Sequence, residues 1–347
     1  MYIKKILLAI VLLGMVGLGI FSYYVYHTIL APNTSFSSET KEVFVKTDAS
    51  YLDVIEQLRP LVKDIESFDV VAQKKAYANH IKAGRFVLKK GMSNNDIINT
   101  LRSSNQPISL VFNNQERLED LAGRVSKQIE ADSLSLLQTM SDSAFLVENG
   151  FQPATALAMY IPNQYEFYWN TSAETFRARM LKEYQRFWNE DRKARAEKID
   201  LTPNEVYTLA AIVQKETAKV DERRRVAGVY MNRHKRGIKL DADPTVIYAV
   251  KKKNGDFDRI IKRVLYKDLE TDSPYNTYKY AGLPPGPIAM PDISAIDAVL
   301  NYEDHDYYYF VANPEKPGYH KFAKSLRQHN NNRQAYVRWI NKVGINR

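Results

Sequence analysis

The chain has 347 residues, of which 45% are hydrophobic and 26% charged, and it carries no cysteine. This length supports a substantial core and two or three domains. Without cysteine, disulfides, thiolate nucleophiles and cysteine-rich zinc sites are excluded. The formal net charge is +9, but no nucleic-acid motif accompanies it. An acidic polymer or anionic lipid headgroups are the expected partners of this charge, and a scattered, solvated surface charge is the alternative.

The first predicted element is an apolar helix from Ile6 to Tyr26, a stretch with no charged residue. Such a helix would be about 31 Å long, which is enough to cross the hydrocarbon core of a bilayer. Lys4 and Lys5 precede it, so the positive-inside rule predicts a cytoplasmic N-terminus and an outer side for the chain after about residue 30. We expect a retained single-pass anchor. The alternative is a cleaved signal peptide, but the stretch is long for one and no Ala-x-Ala site follows.

A small α+β module is predicted after a linker rich in Ser, Thr, Pro and Asn at 31–42. Short apolar runs predict strands at 43–45 and 108–112, and another after the glycine turn at 83–84. Apolar residues at helical spacing predict helices at 51–61, 70–81, 118–129 and 133–140. A further helix is expected after Ser93, which is typical of an N-cap and has Asp96 at the third helical position.

The middle of the chain, 160–168 (YIPNQYEFY), is rich in aromatic residues and interrupted by Pro162. We therefore predict a loop between domains there rather than a regular element. A single helix is expected from 173 to 196. Its end is dense in acidic and basic side chains, which indicates a solvated helix face, with contact to a charged polymer as the alternative.

The next predicted helix begins at a capping box formed by Thr202 and Glu205. It contains the apolar run 209–213 and then Glu216 on the same stripe. A carboxyl pressed against apolar surface keeps its proton to higher pH, as a general acid near neutrality requires. The alternative is a solvated pair with the preceding lysine, although the helix dipole disfavours a carboxylate at a C-terminus.

Asp221 is expected to cap a second helix that ends at Gly237. Beyond it, the run Asp243–Pro244–Thr245 predicts a cap or turn that starts another helix. A cap beside a cleft can also orient a catalytic group, so the two interpretations are compatible. The remaining predicted elements are two strands of a hairpin and a terminal helix, at 307–311, 318–322 and 325–343.

The segment 271–291 is predicted to be a stiff loop because it holds five prolines, which reduce the chain entropy lost on folding. Rigid loops with polar and aromatic side chains usually belong to binding sites, and tyrosine rings stack on sugar faces. Simple packing is the alternative. None of the six histidines has a metal-ligand spacing, so no metal and no cofactor is predicted. The sequence contains no Gly-x-Ser-x-Gly, Walker or dinucleotide fingerprint, which argues against acyl transfer, NTP hydrolysis and hydride transfer.

Several ordered runs resemble the YceG-like family, whose enzyme members are the MltG-type endolytic murein transglycosylases. The runs are LAAIVQKET at 209–217, VYMNR at 229–233, DPTVIY at 243–248, SPYNTY at 273–278, GLPPGPI at 282–288, YFVAN at 309–313, HKFAK at 320–324 and QHN at 328–330. The anchor and the run 83–101 also resemble the family's membrane segment and LysM-like subdomain. The resemblance therefore covers nearly the whole chain.

The resemblance implies a membrane-anchored lytic transglycosylase that cuts the MurNAc–GlcNAc β-1,4 bond of nascent glycan strands and leaves 1,6-anhydroMurNAc ends. The catalytic glutamate of the family motif falls on Glu216. The expected substrate-binding residues are Tyr165, Glu166, Asn232, Asp243, Thr245, Tyr248, Tyr275, Asn276, Thr277 and Tyr278. Two positions depart from the family pattern: Gln214 stands where Glu is more common, and residues 113–117 lack the usual Pro-Glu-Gly.

The predicted fold class is α+β: a single transmembrane helix, a small LysM-like α+β module, and a mixed α/β catalytic domain with a helix-borne acid and C-terminal antiparallel strands. The predicted regions are a cytoplasmic tip and anchor (1–30), a linker (31–42), the LysM-like module (43–112), a helical connecting region (113–160) and the YceG-like catalytic domain (161–347). We expect a location in the cytoplasmic membrane with the catalytic domain on the outer side. The expected partners are peptidoglycan glycan strands and the membrane, with cell-wall synthases as further candidates and no nucleic acid.

Two other functions stay open from the sequence. A muramidase-type hydrolase would need a second carboxylate, for which Glu166, Asp241 and Asp243 are the candidates. A non-catalytic, glycan-binding scaffold of the wall-synthesis machinery would need no acid at all.

Overall fold

The chain begins with an apolar helix, α1 (Tyr2–Val25), which a π-helical turn at Tyr26–Leu30 extends. The structure, a computed structural model, describes residues 2–343. By length and composition, the segment Tyr2–Leu30 is able to cross a membrane, and none of the side chains of α1 is buried. The predicted N-terminal apolar helix is confirmed.

The described residues form two compact units. The first unit contains the chain up to Leu110 together with 128–131 and 165–172, and the second contains 111–127, 132–164 and the chain from Ala173 onwards. The domain boundaries given above remain predictions. Those of the anchor (1–30) and the catalytic domain (161–347) include Met1 and 344–347, which lie outside the described residues.

The first unit packs a two-stranded antiparallel sheet against three helices. Its elements are β1 (Thr40–Val45), α2 (Tyr51–Leu58), α3 (Ile65–Lys74), β2 (Gly84–Lys89) and α4 (Asn94–Ser103). Val43 of β1 lies opposite Phe86 of β2, and both side chains belong to a buried core that the helices complete. Ser93 and Asp96 form the capping box of α4, so this predicted helix start is confirmed.

Helix α3 begins and ends earlier along the chain than predicted. The apolar spacing predicts 70–81, but the helix begins after Asp64, whose side chain accepts hydrogen bonds from the amides of Glu66 and Ser67. It ends before Ala76, which has a left-handed conformation with φ of 53°. The predicted bounds are wrong because apolar spacing alone does not show where a cap or a left-handed residue interrupts the helix.

The strands β3 (Pro107–Phe112) and β4 (Asn163–Tyr168) form a second two-stranded sheet. The prediction of a loop at 160–168 is wrong for the part after Pro162. Tyr165 and Phe167 are buried while Glu166 and Tyr168 are exposed, which is the two-residue alternation of a strand with one covered face.

Five helices precede the central part of the second unit. They are α5 (Leu118–Val125), α6 (Ser133–Met140), α7 (Ser143–Glu148), α8 (Ala173–Phe187) and α9 (Glu190–Lys198). The single helix predicted at 173–196 is wrong, because Asn189 accepts a hydrogen bond from the amide of Arg192 and caps a new helix, α9. Trp188, at the break, is buried and packs edge-on against Phe187.

The centre of the second unit is α10 (Pro203–Glu216), whose eight residues from Val206 to Val213 are all buried. A helix that is covered all round is a core helix rather than an amphipathic one. It packs against α11 (Arg223–Lys235), α12 (Asp243–Asn254) and α14 (Ile293–Leu300), and a short α13 (Tyr266–Leu269) follows α12. The predicted capping box of Thr202 and Glu205 is confirmed.

The start of α11 differs from the prediction. Residues Val220–Glu222 form a 3-10 turn, and the helix begins at Arg223 without a side-chain cap. Asp221 is therefore not the N-cap. Further along, α11 makes a close approach at Gly228, where a Cβ atom would overlap the Glu303 carbonyl oxygen and lie 2.7 Å from His305 Nε2.

The last elements are β5 (Tyr309–Ala312), β6 (His320–Ala323) and α15 (Leu326–Val343). The two strands form an antiparallel pair with Phe310 opposite Phe322, and α15 packs against both strands. The predicted C-terminal hairpin and terminal helix are confirmed.

Candidate active site

A cavity of about 400 Å³ lies in the second unit around the side chain of Glu216. Helices α10, α11, α12 and α15, strand β5 and the loop at 271–278 all contribute to its walls. Asp243 is exposed and Glu216 is partly buried, so the cavity connects the carboxyl of Glu216 with solvent.

Glu216 is the last residue of α10, and Thr217 after it leaves the helix with extended backbone angles. The Tyr230 hydroxyl, from α11, donates a hydrogen bond of 2.6 Å to Glu216 Oε1. Burial raises the pKa of Glu216 to about 7, and the charge of Asp243 adds to this, while the Tyr230 hydrogen bond and His320 lower it in part. The carboxyl therefore exchanges its proton near neutrality, as a group that serves as both acid and base needs.

Tyr230 is held in one orientation by its surroundings. Its side chain is buried and its ring lies edge-on to Phe310, with centroids 5.8 Å apart. Burial and the neighbouring Glu216 carboxyl raise the pKa of Tyr230 well above its ordinary value. The hydroxyl thus keeps its proton and stays a hydrogen-bond donor.

Two further carboxyl groups line the cavity, and each has its own partner. Asp243 Oδ1 accepts a hydrogen bond of 2.7 Å from the Tyr278 hydroxyl. Asp241 pairs with Arg233 at 2.6 Å and has a left-handed backbone with φ of 51°. Burial raises the pKa of Asp241 even though Arg233 opposes this change. A non-glycine residue at positive φ is strained, and such strain is often found at functional sites.

Three of the predicted binding residues lie behind the cavity wall. Thr245 and Asn276 are fully buried and Thr277 nearly so. The hydroxyls of Thr245 and Thr277 are 2.8 Å apart, and the Asn276 amide donates to the carbonyls of Leu269 and Thr271. Asn276 also accepts a hydrogen bond from the amide of Tyr278. These groups hold the loop that brings Tyr278 to Asp243.

Tyr248 and Tyr275 line a different cavity of about 330 Å³, also in the second unit. Their ring centroids are 4.7 Å apart, and Phe257 stands edge-on to Tyr248 at 5.5 Å. The Lys252 ammonium lies 4.8 Å from the centroid of the Tyr275 ring. The structure therefore does not bring these two tyrosines into the cavity of Glu216.

The other predicted residues have separate places. The Asn232 amide donates to the carbonyls of His305 and Tyr307, at 2.7 and 3.0 Å, and so fixes the segment that leads into β5. Tyr165 and Glu166 belong to β4 in the first unit, the former buried and the latter exposed.

Sequence reasoning assigned no role to several residues of the cavity. The Arg233 guanidinium carbon is 5.4 Å from the centroid of the Tyr309 ring, and this ring stacks on His329 at 5.3 Å. Burial, together with nearby arginines, lowers the pKa of His329. The signal that could have found Tyr230, Arg233, Tyr309 and His329 is their membership of the runs at 229–233, 309–313 and 328–330.

A carboxyl whose pKa is raised to about 7, hydrogen-bonded by a tyrosine inside a solvent-connected cavity, is the kind of group found in acid–base sites. The family profile described as the YceG-like family matches residues 43–335. The chain belongs to this family.

Known relatives agree with this membership. A Bacillus subtilis protein named endolytic murein transglycosylase is 29% identical over 294 residues, which is 78% of this chain and 79% of that protein. A Streptococcus pneumoniae protein of the same name is 28% identical over 80% of this chain, and the match spans 54% of that longer protein. A crystal structure of a yceG-like protein from Listeria monocytogenes is 28% identical, with a TM-score of 0.56 over 85% of this chain and 99% of that chain.

Proposed function

We propose that this protein is an endolytic peptidoglycan lytic transglycosylase in which Glu216 is both the acid and the base. The observation that carries the proposal is the Glu216 carboxyl, whose pKa burial raises to about 7 in a cavity where Tyr230 orients it. The names of the bacterial relatives support the substrate class.

The reaction consumes no water. Glu216 donates its proton to the glycosidic oxygen as the bond between MurNAc C1 and the GlcNAc oxygen breaks. The resulting carboxylate takes the proton from the MurNAc C6 hydroxyl, whose oxygen bonds to C1 and closes the 1,6-anhydro ring. One carboxyl suffices because the substrate supplies the nucleophile, whereas the usual glycoside hydrolases use two. With a pKa of about 7, Glu216 populates both protonation states at neutral pH.

The proposed roles of the other residues rest on their contacts and burial. Asp243, held by Tyr278, faces the position where positive charge develops on the sugar. Thr245, Asn276 and Thr277 are buried and so support the site rather than touch substrate. Asn276 does so by accepting a hydrogen bond from the amide of Tyr278, and the two threonines by bonding each other. Tyr248 and Tyr275 contact a more distant part of the strand through their own cavity.

The apolar segment Tyr2–Leu30 is proposed to be a retained single-pass anchor in the cytoplasmic membrane. Lys4 and Lys5 then stay in the cytoplasm and the catalytic domain lies on the outer side. The region 43–112 is proposed to be a LysM-like module, and glycan contacts by Tyr165 and Glu166 belong to the same proposal. Cell-wall synthases are proposed partners.

Product analysis tests the proposal. Full-length protein in detergent is incubated with murein glycan, and the products are examined by mass spectrometry. The expected products carry 1,6-anhydro ends, and Glu216→Gln abolishes them. Glu190→Gln is the matched control, because that carboxylate is 95% exposed on α9. Reducing ends instead of anhydro ends would assign a hydrolase, and binding of glycan without cleavage by the wild type would assign a scaffold.

A further inference from the structure

Glu222 is a buried carboxylate that the proposed reaction does not use. Its side chain lies in the turn before α11 and the residue is 5% exposed. A buried charge is costly unless hydrogen bonds and an opposite charge compensate it. The groups that donate hydrogen bonds to Glu222 therefore indicate its role in the fold.

The hydrogen-bond donors to Glu222 are a neighbour of Glu216 in the chain and a residue whose charge acts on Glu216. His320 of β6 donates twice, from its amide to Oε1 at 2.8 Å and from its ring Nδ1 to Oε2 at 2.7 Å. The hydroxyl of Thr217, the residue directly after Glu216, donates to Oε2 at 3.2 Å. Glu222 thus joins strand β6 to the C-terminal end of α10.

A second route connects the same pair with Glu216. The His320 ring lies edge-on to Phe310, with centroids 5.1 Å apart, and Phe310 lies edge-on to Tyr230. Tyr230 in turn donates its hydroxyl to Glu216. Glu222 and His320 are therefore connected to Glu216 in two ways. One connection runs through the backbone to Thr217, and the other runs through the aromatic side chains of Phe310 and Tyr230.

The pair also contributes charge. Burial alone would raise the pKa of Glu222, but the two hydrogen bonds from His320 hold it below its ordinary value. The charge of His320 also lowers the pKa of Glu216, and so favours the ionised form of that carboxyl. The other titratable and charged groups of the cavity around Glu216 are Tyr230 and Arg233 from α11, Asp241 and Asp243 at the start of α12, Tyr278 from the loop at 271–278, Tyr309 from β5 and His329 from α15.

We propose that Glu222 and His320 form a positioning pair that holds the β5–β6 hairpin against the end of α10 and so fixes the place and the charge environment of the Glu216 carboxyl. The proposal rests on the proposed role of Glu216 as the acid. Neither residue touches substrate in this scheme.

The test uses Glu222→Gln and His320→Gln in the full-length protein. Each variant is expected to lower kcat about tenfold with little change in KM, since a small displacement of a catalytic group is costly. In His320→Gln the alkaline limb of the pH–rate profile should move upward by about half a unit or more, because Glu216 loses the charge that lowers its pKa. Glu315→Gln is the matched control, since it removes an exposed ion pair with Lys321 in the same hairpin.

Substitutions of Thr217 test the positioning effect of the pair without changing its charge. Thr217→Val removes the hydroxyl that binds Glu222 and should lower kcat, whereas Thr217→Ser keeps the hydroxyl and should restore it. Because neither change alters charge, the pH limb should stay in place. A loss that serine does not rescue would contradict the positioning role.

A second readout does not depend on cleavage. Carbon-13 NMR of carboxyl-labelled glutamate follows the titration of Glu216, whose signal is identified by its loss in Glu216→Gln. The titration is expected to move to higher pH in His320→Gln, which removes the charge that lowers the pKa of Glu216. If the wild type cuts no glycan, the proposed function fails while this titration still tests the pair. Unchanged Glu216 titration in folded His320→Gln protein would overturn the proposal.

Discussion

Two cavities of the second unit share the helix α12 and the loop at 271–278, yet the pKa of a glutamate is raised in one of them and lowered in the other. The first cavity takes Asp243 and Tyr278 from these elements and contains Glu216. The second takes Tyr248 and Tyr275 from them and contains Glu116. Both glutamates line a cavity, and comparing them shows how their neighbours set the direction in which the pKa of each carboxyl moves.

Burial acts on both carboxyl groups in the same direction, but their partners differ. Glu116 accepts hydrogen bonds from Lys215 and Lys251 at 2.8 and 2.9 Å, and the two lysines hold its pKa below the ordinary value despite burial. Among residues 2–343, Glu216 forms no ion pair with lysine or arginine and has a neutral tyrosine as its donor. Because no lysine or arginine among the described residues pairs with it, burial keeps the pKa of Glu216 raised.

The largest expected effect separates the two glutamates by activity. Glu216→Gln should lower kcat by about 10³-fold or more, because loss of a general acid–base group has a cost of this order. Glu116→Gln should keep kcat within about threefold, since an ion-paired carboxylate transfers no proton. Both are measured as the rate of release of anhydro ends. Equal losses in the two variants would remove the distinction between the cavities.

The pH dependence of stability should differ in sign between the two residues. The folded-state pKa of Glu116 is lowered, so its contribution is present above its unfolded pKa and is lost as pH falls. Glu116→Gln should therefore cost about 1–3 kcal/mol at pH 7, and less in acid. The folded-state pKa of Glu216 is raised, so ionising it on the way from pH 5 to pH 8 weakens the fold, and Glu216→Gln should be more stable than the wild type at pH 8. Urea unfolding at both pH values measures these differences, and parallel pH curves for the two variants would contradict them.

The hydroxyl of Tyr230 has a smaller predicted effect. Tyr230→Phe removes the hydrogen bond that lowers the pKa of Glu216, so the alkaline limb of kcat/KM, expected near pH 7 in the wild type, should move upward. The loss of kcat should be about tenfold, because the carboxyl keeps its place but loses its orienting donor. Tyr184→Phe is a suitable control, since Tyr184 packs edge-on against Phe151. A downward move of the limb would contradict the assigned role of the hydroxyl.

The smallest expected effect concerns binding in the second cavity. Lys252 is exposed and lies over the Tyr275 ring. Lys252→Ala should raise KM for long glycan strands about threefold and leave kcat unchanged, as loss of an exposed contact does. Lys253→Ala, the neighbouring exposed lysine, provides the comparison. If kcat fell and KM stayed constant, the second cavity would take part in the chemistry instead.

Local features were predictable from the sequence, and contacts between distant segments were not. The capping boxes after Ser93 and Thr202 depend on residues three positions apart, so their patterns are visible in the chain. The contact between Tyr230 and Glu216 depends on how α10 and α11 pack, which no local pattern shows. Glu216 was singled out because an acid at the end of an apolar run conflicts with ordinary helix patterning, and its catalytic role stays a prediction.

For the polar residues of the turns, the local pattern did not show where their side chains lie. Thr245, Asn276 and Thr277 were expected to bind substrate from the resemblance to the family, and all three lie on polar, turn-rich segments. Their side chains instead bond the backbone of their own turns or one another, which is the common use of such residues. Composition does not distinguish a side chain that faces a cavity from one that supports its wall.

Gly228 limits how the site can change. It allows α11 to lie against the backbone at Glu303, where a single added methyl group would overlap the carbonyl oxygen. Tyr230 and Arg233 follow in the same helix, so the positions of their side chains in the cavity depend on how closely α11 packs against the backbone at Glu303. Alanine, usually the most favourable residue in a helix, is therefore expected to be harmful here: it would push the donor of Glu216 away from the acid without altering any group that takes part in the reaction.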